Sequence, residues 1–378
     1  MRFAPFKIEQ WFGKWEFVAN YNIAESCASP VSLKELLTWD PDLRSSLENL
    51  DQRVLGYRLG YTESNGSEDL RREISSLYRQ ADPDLNVLVT AGASEANFLL
   101  FATLIQPGDE VITEFPTYNQ HYELPQAFGA TFRPWRLREE NNWLPDIDEL
   151  RRLVSDRTRL IVITHPHNPT GSIITPDMLK EICEVADSVG AWVLSDEVFK
   201  GLNLSGEDET PRIFDVYPRG ISVSDMSKAF GMSGLRIGWI CGDPEVVKDC
   251  WHLRDYTTIC NAGISERIAL SGLRHREAVL ERNLAISRTN YALLSQFVSD
   301  NPRISMVPPK GGVLAFPRLD TSVPSMEWGE RLVREKGVLI VPGACFEMEG
   351  YFRIGFGYDT EKLKTGLQLL SEFLKTLP

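Results

Sequence analysis

Strand-like segments alternate with helical ones along the middle of this chain, from about residue 87 to residue 242. Runs rich in β-branched and aromatic residues predict seven strands, at residues 87–90, 110–113, 131–137, 160–164, 192–194, 221–224 and 237–241. Between them, helical segments are predicted at 95–105, 146–154 and 176–189. Strands that alternate with helices over this length are typical of an α/β fold with a mostly parallel sheet.

The pattern changes after Pro244. A long, interrupted helical region extends to about residue 298, and two amphipathic helices are predicted near 326–336 and 361–374. Isolated strands are predicted at 305–307, 313–316, 338–341 and 351–354. The first 45 residues are aromatic and irregular, and we expect them to pack against this second part or to cover a cleft. We therefore predict a large α/β domain at 46–265 and a small α+β domain made of 1–45 and 266–378.

Composition narrows the class of protein. The 378 residues suffice for two domains, and the formal charge of −13 argues against binding to nucleic acid or to an anionic membrane. The sequence has no apolar run long enough to span a bilayer, and its first 17 residues lack the apolar core of a secretory signal. The six cysteines form no CxxC pair, which speaks against a disulfide framework and a zinc site. We expect a cytoplasmic protein that acts on small molecules and holds no metal.

The most informative motif lies at residues 224–238, SDMSKAFGMSGLRIG. Lys228 follows a predicted strand, three glycines allow close backbone approach, and Arg236 comes eight residues later. A buried lysine beside a cation has a lowered pKa and becomes a usable amine nucleophile. An arginine in the same loop could hold a phosphate through two hydrogen bonds. Taken alone, the segment fits a glycine-rich turn with surface charges equally well.

Two further motifs follow predicted strands. Asp196 lies just beyond the strand at 192–194, and the carboxyl ends of strands are where α/β sheets bind ligands. Its carboxylate could face a heteroaromatic cation, or it could be a solvated strand end. The sequence HPHNPTG at 165–171 predicts a turn from which Asn168 could present its amide to a cleft. His165 and His167 have no metal-ligand spacing to other residues, and we interpret them as structural or rim residues.

A small-residue junction at 90–96, TAGASEA, joins a strand to a helix. Such a junction exposes backbone N–H groups at a helix N-terminus and suits a phosphate group. It is a weak signal by itself, because many strand-to-helix turns carry glycine and serine. The sequence contains neither a P-loop nor a GxGxxG motif there, so a nucleotide or dinucleotide ligand loses support.

The order of these motifs is more specific than any one of them. The phosphate junction, Tyr118 shortly after a strand, the NPTG turn, Asp196 and the lysine–arginine loop follow one another. This arrangement resembles the fold-type-I, pyridoxal-phosphate-dependent aminotransferases of class I and II, over nearly the whole chain. The resemblance implies an α/β large domain with a mostly parallel seven-stranded sheet, a smaller α+β domain, and pyridoxal 5′-phosphate as the cofactor.

The resemblance also implies roles at the cofactor. Lys228 would form a Schiff base (an aldimine) with it and then move the proton of the 1,3-shift. Asp196 would keep the pyridine nitrogen protonated, so that the ring accepts electrons. Tyr118 would stack on the ring face. The other implied contacts are Asn168 to the phenolic oxygen, Ala93, Ser94, Ser227 and Arg236 to the phosphate, Tyr61 to the phosphate across a homodimer interface, and Arg353 to the substrate α-carboxylate, with Asn168 also beside the substrate.

Two positions depart from the family pattern. Phe199 stands where these enzymes usually have a tyrosine whose hydroxyl bonds the cofactor's phenolic oxygen. We therefore expect the Schiff base to keep its proton to higher pH than in a typical relative. Residues 21–30, YNIAESCASP, replace an expected glycine-containing turn that lines the substrate pocket. Both departures lie at positions that determine which reaction the cofactor undergoes and which substrate is bound.

Three functions remain open at this point. The first is transfer of an amino group between an L-amino acid and a 2-oxo acid. The second keeps the cofactor but ends in elimination, replacement or cyclisation, as in relatives that cyclise a modified arginine to capreomycidine. The third is a non-catalytic regulator on the same fold. Such regulators usually carry a basic DNA-binding extension, whereas this chain has no basic segment and retains Lys228, Asp196 and Arg236.

Overall fold

The structure is a computed structural model that describes residues 2–41, 60–204, 206 and 210–378. In these ranges the strands, numbered in chain order, are β1 (Tyr21–Asn22), β2 (Val87–Thr90), β3 (Glu110–Phe115), β4 (Thr131–Arg136), β5 (Thr158–Thr164), β6 (Trp192–Asp196), β7 (Gly220–Asp225), β8 (Gly238–Cys241), β9 (Ile304–Ser305), β10 (Leu314–Ala315), β11 (Arg318–Leu319), β12 (Val338–Leu339), β13 (Val341–Pro342) and β14 (Phe352–Gly355).

The α-helices of the same ranges include the three predicted between strands, which are confirmed to within two residues. Pro176–Ser188 begins as expected, with the Thr175 hydroxyl accepting the N–H of Met178. The full set is Lys7–Trp15, Leu33–Trp39, Glu68–Ser75, Ala93–Leu104, Gln120–Ala127, Ile147–Leu153, Pro176–Ser188, Pro244–Arg254, Gly263–Arg274, Arg276–Asp300, Ser325–Lys336 and Thr360–Leu374.

A seven-stranded sheet forms the centre of the molecule, and it confirms all seven predicted strands. Its order is β2-β8-β7-β6-β5-β3-β4. Only β8 runs antiparallel to its neighbours, and the other pairs are parallel. Every residue of β2, β3, β7 and β8 is buried, as expected when helices cover both faces of a sheet.

The sheet also fixes where chemistry can occur. Thr164 at the end of β5 pairs in register with Asp196 at the end of β6, and Asp225 ends the neighbouring β7. Parallel strands present their carboxyl ends at one edge, so these polar side chains converge there. The helices and loops that follow the strands therefore surround a common cleft.

A second hydrophobic core lies in the C-terminal part of the chain. The strands β10, β14 and β13 form an antiparallel sheet, and β1 pairs in parallel with β12. Helices Ser325–Lys336 and Thr360–Leu374 bury Trp328, Leu332 and Phe373 in this core. The division into domains at 46–265 and at 1–45 with 266–378 stays a proposal, and its boundary near residue 45 lies outside the described residues.

The N-terminal segment is not irregular, and that expectation was wrong. Helix Lys7–Trp15 turns Ile8, Trp11 and Trp15 to one side, where they are buried. The Trp11 indole donates a hydrogen bond to the carbonyl oxygen of Ile340 at 2.7 Å. An amphipathic helix of this kind gains its stability from packing, which the short apolar pattern in the sequence did not reveal. The segment does pack against the C-terminal part of the chain, as predicted, in a cluster with Val333, Leu339 and Val341.

Candidate active site

A cavity of about 420 Å³ opens at the carboxyl edge of the parallel strands. This volume lies in the range of small-molecule sites. The cavity is lined by every predicted site residue except Tyr61. Those residues are Ala93, Ser94, Tyr118, Asn168, Asp196, Phe199, Ser227, Lys228, Arg236 and Arg353.

Lys228 stands in a turn that its own sequence builds. The Asp225 carboxylate at the end of β7 accepts the backbone N–H groups of Ser227 at 2.9 Å and of Lys228 at 3.2 Å. The Lys228 ammonium group then reaches across the cavity and donates to the Ser26 hydroxyl at 2.8 Å. The turn therefore projects one amine from the sheet edge into the cavity.

The pKa of Lys228 does not follow the expectation of a lowered value. Burial alone lowers the pKa, but Cys27 and Asp225 act in the opposite direction, and the pKa of Lys228 is raised. The expectation assumed a cation as the dominant neighbour. The Cys27 thiol, 3.8 Å from Nζ, and the Asp225 carboxylate instead outweigh burial, so the amine is protonated at neutral pH in the free chain.

An anion cradle is formed by Arg236 and the start of helix Ala93–Leu104. Arg236 has a left-handed backbone (φ +54°), which turns its guanidinium toward the carbonyl of Ala91 at 3.2 Å and the hydroxyl of Ser227 at 3.4 Å. Gly92 has a φ of +88°, which favours glycine, and a Cβ atom there would displace this guanidinium. The free N–H groups of the helix start face the same space, which is suited to a phosphate group.

Asp196 is held by a residue that sequence reasoning missed. His121 Nε2 lies 3.1 Å from Asp196 Oδ2, and both side chains are buried. Since a carboxylate only accepts hydrogen bonds, Nε2 carries the proton, and the Thr117 hydroxyl at 3.4 Å faces the other ring nitrogen. His121 lies three residues beyond Tyr118, in the first turn of helix Gln120–Ala127, and this spacing was an available signal. The pair leaves Asp196 oriented toward the cavity.

Arg353 and Asn168 form one unit on the opposite wall. Arg353 is 1% exposed and donates to the Asn168 side-chain oxygen at 3.1 Å and to the carbonyl of Ala24 at 3.2 Å. Its Nε has no hydrogen-bond partner among the described residues. Burial lowers the pKa of Arg353 to about 10, which still leaves it charged at neutral pH. A buried guanidinium with a spare donor is suited to a carboxylate.

Tyr118 and Phe199 supply the aromatic surface of the cavity. The Tyr118 hydroxyl donates to a Glu9 carboxylate oxygen at 3.0 Å, and burial together with Glu9 raises the pKa of this phenol. Phe199 is 2% exposed and lines the cavity through its ring. The raised pKa keeps the Tyr118 phenol neutral at neutral pH, and phenylalanine has no ionisable group. Both rings therefore offer flat, uncharged surfaces for a planar ring.

The N-terminal segment contributes a wall of the cavity, in keeping with the expectation that it covers a cleft, but the individual side chains of that wall were not predicted. Glu9 and Phe12 reach the cavity from helix Lys7–Trp15, and Ser26 and Cys27 reach it from the segment after β1. The sequence signal was limited to the aromatic content of the first residues and the missing glycine turn. Ser26 and Lys228 lie about 200 positions apart in the sequence, and only the fold brings them into contact.

Tyr61 does not reach this cavity within the chain. Its side chain is 87% exposed on the outer surface. The predicted role across a dimer interface requires a second copy, so it stays a prediction. His165 and His167 are buried rather than on the rim, where His165 contacts the Glu114 carboxylate at 2.8 Å and His167 the Thr170 hydroxyl at 2.9 Å.

Metal-binding clusters and membrane-spanning helices are both absent from the described part of the chain. No cluster of three or more histidine, cysteine or acidic side chains there could hold a metal ion. Among the helices that the structure describes, none combines the length and apolarity needed to cross a membrane.

Comparison with known proteins identifies the family. The family model for aminotransferase class I and II matches residues 44–370. The chain belongs to this aminotransferase family. It is 36% identical to capreomycidine synthase of Streptomyces vinaceus, over 98% of this chain and 93% of that protein. It is 31% identical to an aspartate aminotransferase of Pyrococcus horikoshii, over 83% of each.

Comparison with solved structures supports the same family. A crystal structure of a PLP-dependent aminotransferase from Streptococcus suis superposes with a TM-score of 0.94 at 36% identity, covering 100% of this chain and 99% of that one. The fold-type-I architecture predicted from the motifs is thereby confirmed. This member of the class I and II aminotransferase family is an enzyme of the pyridoxal-5′-phosphate-dependent type, as the sequence predicted.

Proposed function

We propose that this protein transfers an amino group between an L-amino acid and a 2-oxo acid, with Lys228, Asp196 and Tyr118 as its catalytic residues. One observation carries the proposal: Lys228, Asp196 and Arg236 line the same cavity, and Arg353 forms its far wall. An amine, a carboxylate, an anion cradle and a carboxylate receptor are the groups that such a reaction needs. A function in binding alone does not require a buried amine beside the carboxylate, the anion cradle and the carboxylate receptor.

The cavity residues fit pyridoxal 5′-phosphate. Arg236, Ser227, Ser94 and the N–H of Ala93 would hold the phosphate, and Asp196 would hold a proton on the ring nitrogen. The other ring contacts would come from Asn168, whose oxygen is taken by Arg353 so that its NH₂ is left to donate, and from Tyr118 and Phe199. When bound, the cofactor supplies a carbonyl for the amine and a ring that takes up the electron pair released at the substrate's α-carbon.

The chain's own groups carry out the proton transfers. Lys228 Nζ would accept the proton from the substrate α-carbon and return it to the neighbouring position. The Ser26 hydroxyl, 2.8 Å from Nζ, holds the free amine in place between these transfers. Asp196, held in place by His121, would face the ring nitrogen and hold a proton on it. Helix Lys7–Trp15 lines the cavity with Ile8, Glu9 and Phe12, and this wall would limit access of water.

The proposal is tested by absorbance spectra of the cofactor-loaded protein during addition of L-amino acid pools without any 2-oxo acid. An aminotransferase releases one equivalent of 2-oxo acid per site and then stops until an acceptor is added. Continued consumption of the amino acid without an acceptor would contradict the proposal. Ammonia or a cyclic product would then identify the second candidate, elimination or cyclisation.

That second candidate is favoured by one specific finding. One relative, aligned over 98% of this chain, is a capreomycidine synthase. The substitution of Phe199 and the altered segment 21–30 also fall at the cavity, where the outcome of the reaction is decided. The two candidates share the roles of Lys228 and Asp196, and they differ only in the steps after proton removal.

Changing Arg353 to lysine is expected to raise KM for the amino acid about tenfold to hundredfold, with a smaller effect on kcat. Lysine keeps the charge but cannot hold a carboxylate with two parallel hydrogen bonds. Steady-state kinetics with an amine that lacks the carboxylate should show no such change. Arg331→Lys, at a partly exposed arginine paired with Glu335, is the control. An equal loss with the carboxylate-free amine would exclude carboxylate binding by Arg353.

Changing Phe199 to tyrosine is expected to lower, by about one pH unit, the pH at which the cofactor-loaded protein changes its visible absorbance. The added hydroxyl can donate to the cofactor's phenolic oxygen and stabilise its negative charge. A spectral pH titration of both proteins measures the difference. An unchanged or higher midpoint in the tyrosine variant would contradict the assigned position of Phe199.

We also propose that the protein acts as a cytoplasmic homodimer. Tyr61 and Tyr256 are each 87% exposed, and such large aromatic side chains are enriched at protein interfaces. All six cysteines are free, in keeping with a reducing compartment. Light scattering of the purified protein measures the assembly, and a monomeric mass would remove Tyr61 from the proposed phosphate site.

A further inference from the structure

The charges around the cavity can be assigned almost completely under the proposed function. Among the lining residues the cations are Lys228, Arg236 and Arg353, and the carboxylates are Glu9, Asp196 and Asp225. Arg236 serves the phosphate, Arg353 the substrate carboxylate and Lys228 the reacting amine. Asp196 serves the ring nitrogen, and Asp225 accepts two backbone N–H groups of the lysine turn. Glu9 is left without a role.

Glu9 lies where a substrate side chain would pass. It projects from helix Lys7–Trp15 at the mouth of the cavity, and its Oε1 accepts the Tyr118 hydroxyl at 3.0 Å. Phe6 and Phe12 line the same wall. Within the described residues, no lysine, arginine or histidine lies within 4.0 Å of its carboxylate. The carboxylate therefore has the capacity to pair with a cation from outside the chain.

The same wall disfavours an acidic side chain. With Lys228, Arg236 and Arg353 engaged, no further arginine or lysine of this chain lines the described cavity. A second carboxylate on the substrate would lie close to the Glu9 carboxylate, and like charges repel each other at short distance. A cationic side chain would instead pair with Glu9 and pack its aliphatic stem on the two phenylalanine rings.

On this basis we propose that Glu9 selects an amino acid with a cationic side chain, a guanidinium or an ammonium group, as the substrate. The inference rests on the proposed function, since it takes the α-carboxylate to lie on Arg353. Burial lowers the pKa of Arg353, and the charge of Glu9 opposes that effect more than any other group, which agrees with Glu9 being near the substrate's position.

The test compares L-arginine, L-norleucine and L-aspartate on the cofactor-loaded full chain, by dissociation constant from calorimetry and by kcat/KM. The wild type should favour L-arginine over both other amino acids. Glu9→Gln keeps the shape and the acceptor for Tyr118 but removes the charge. It should weaken L-arginine binding about tenfold to hundredfold and leave L-norleucine unchanged. Glu330→Gln, at a partly exposed glutamate of helix Ser325–Lys336 that pairs with Lys14 of helix Lys7–Trp15, is the control and should change nothing.

The outcomes separate the two proposals. Equal binding of L-arginine and L-norleucine by the wild type, or equal losses for both in Glu9→Gln, would overturn the role of Glu9. That result would leave amino transfer intact if either amino acid still yields its 2-oxo acid. Conversely, selective binding of L-arginine without formation of any 2-oxo acid would support Glu9 and refute amino transfer.

Discussion

Replacing Lys228 by alanine is expected to reduce product formation by about 10⁴-fold, the upper end of what general acid–base catalysis provides. The change removes both the amine nucleophile and the only lysine that lines the described cavity. The cofactor should still bind, because Arg236, Ser227 and Asp196 remain. Single-turnover formation of 2-oxo acid measures the loss, and absorbance after gel filtration measures cofactor retention.

A control and a rescue sharpen this experiment. Lys248 is an exposed lysine paired with Glu245, and its change to alanine should leave activity unaltered. A small primary amine added to Lys228→Ala should restore part of the activity, because it can enter the space left beside Ser26 and move the same proton. Activity in Lys228→Ala within tenfold of wild type would assign the chemistry to another group.

Replacing Asp196 by asparagine is expected to reduce kcat about 10³-fold, with little change in KM. Asparagine has nearly the same shape and can still contact His121, so the fold and the cavity should persist. It carries no negative charge, so it cannot hold a proton on the ring nitrogen, and the ring then accepts electrons poorly. Steady-state kinetics and the visible spectrum of the loaded variant measure the effect.

The matched comparison for this change is Asp249→Asn, at an exposed aspartate of helix Pro244–Arg254, which should behave as wild type. A cofactor analogue with a permanent positive charge on the ring nitrogen should restore activity to Asp196→Asn, because the charge no longer depends on residue 196. Failure of that analogue to restore activity, with binding intact, would show that Asp196 acts in another way.

Much of the fold was predictable because its signals are local. Four strands of the central sheet, β2, β3, β7 and β8, are buried along their whole length, and short runs rich in β-branched residues located the sheet strands within a few residues. The antiparallel direction of β8 was not predictable, because an apolar run has no direction. Helix Lys7–Trp15 was missed because its stability comes from Trp11 and Trp15 packing on a distant core.

The residues of the candidate site also fall into those that local sequence predicts and those that it does not. Lys228, Asp196 and Asn168 were found because each follows a strand at a position that the local sequence marks. His121, Ser26 and Glu9 were not found, since nothing near them in sequence announces the partner they meet. Two of these partners are more than 100 positions away, as the contacts of Ser26 with Lys228 and Glu9 with Tyr118 show.

The sequence by itself determined the fold class, the cofactor and the residues at the carboxyl ends of the strands, because strand periodicity and turn motifs depend on neighbouring residues. The tertiary structure decided which groups hold those residues and what surrounds the substrate. Lys228 has its pKa raised rather than lowered, and Glu9 stands at the cavity mouth, because both depend on charges and surfaces brought together over long distances in the chain. Such contacts are fixed only when the cores have packed.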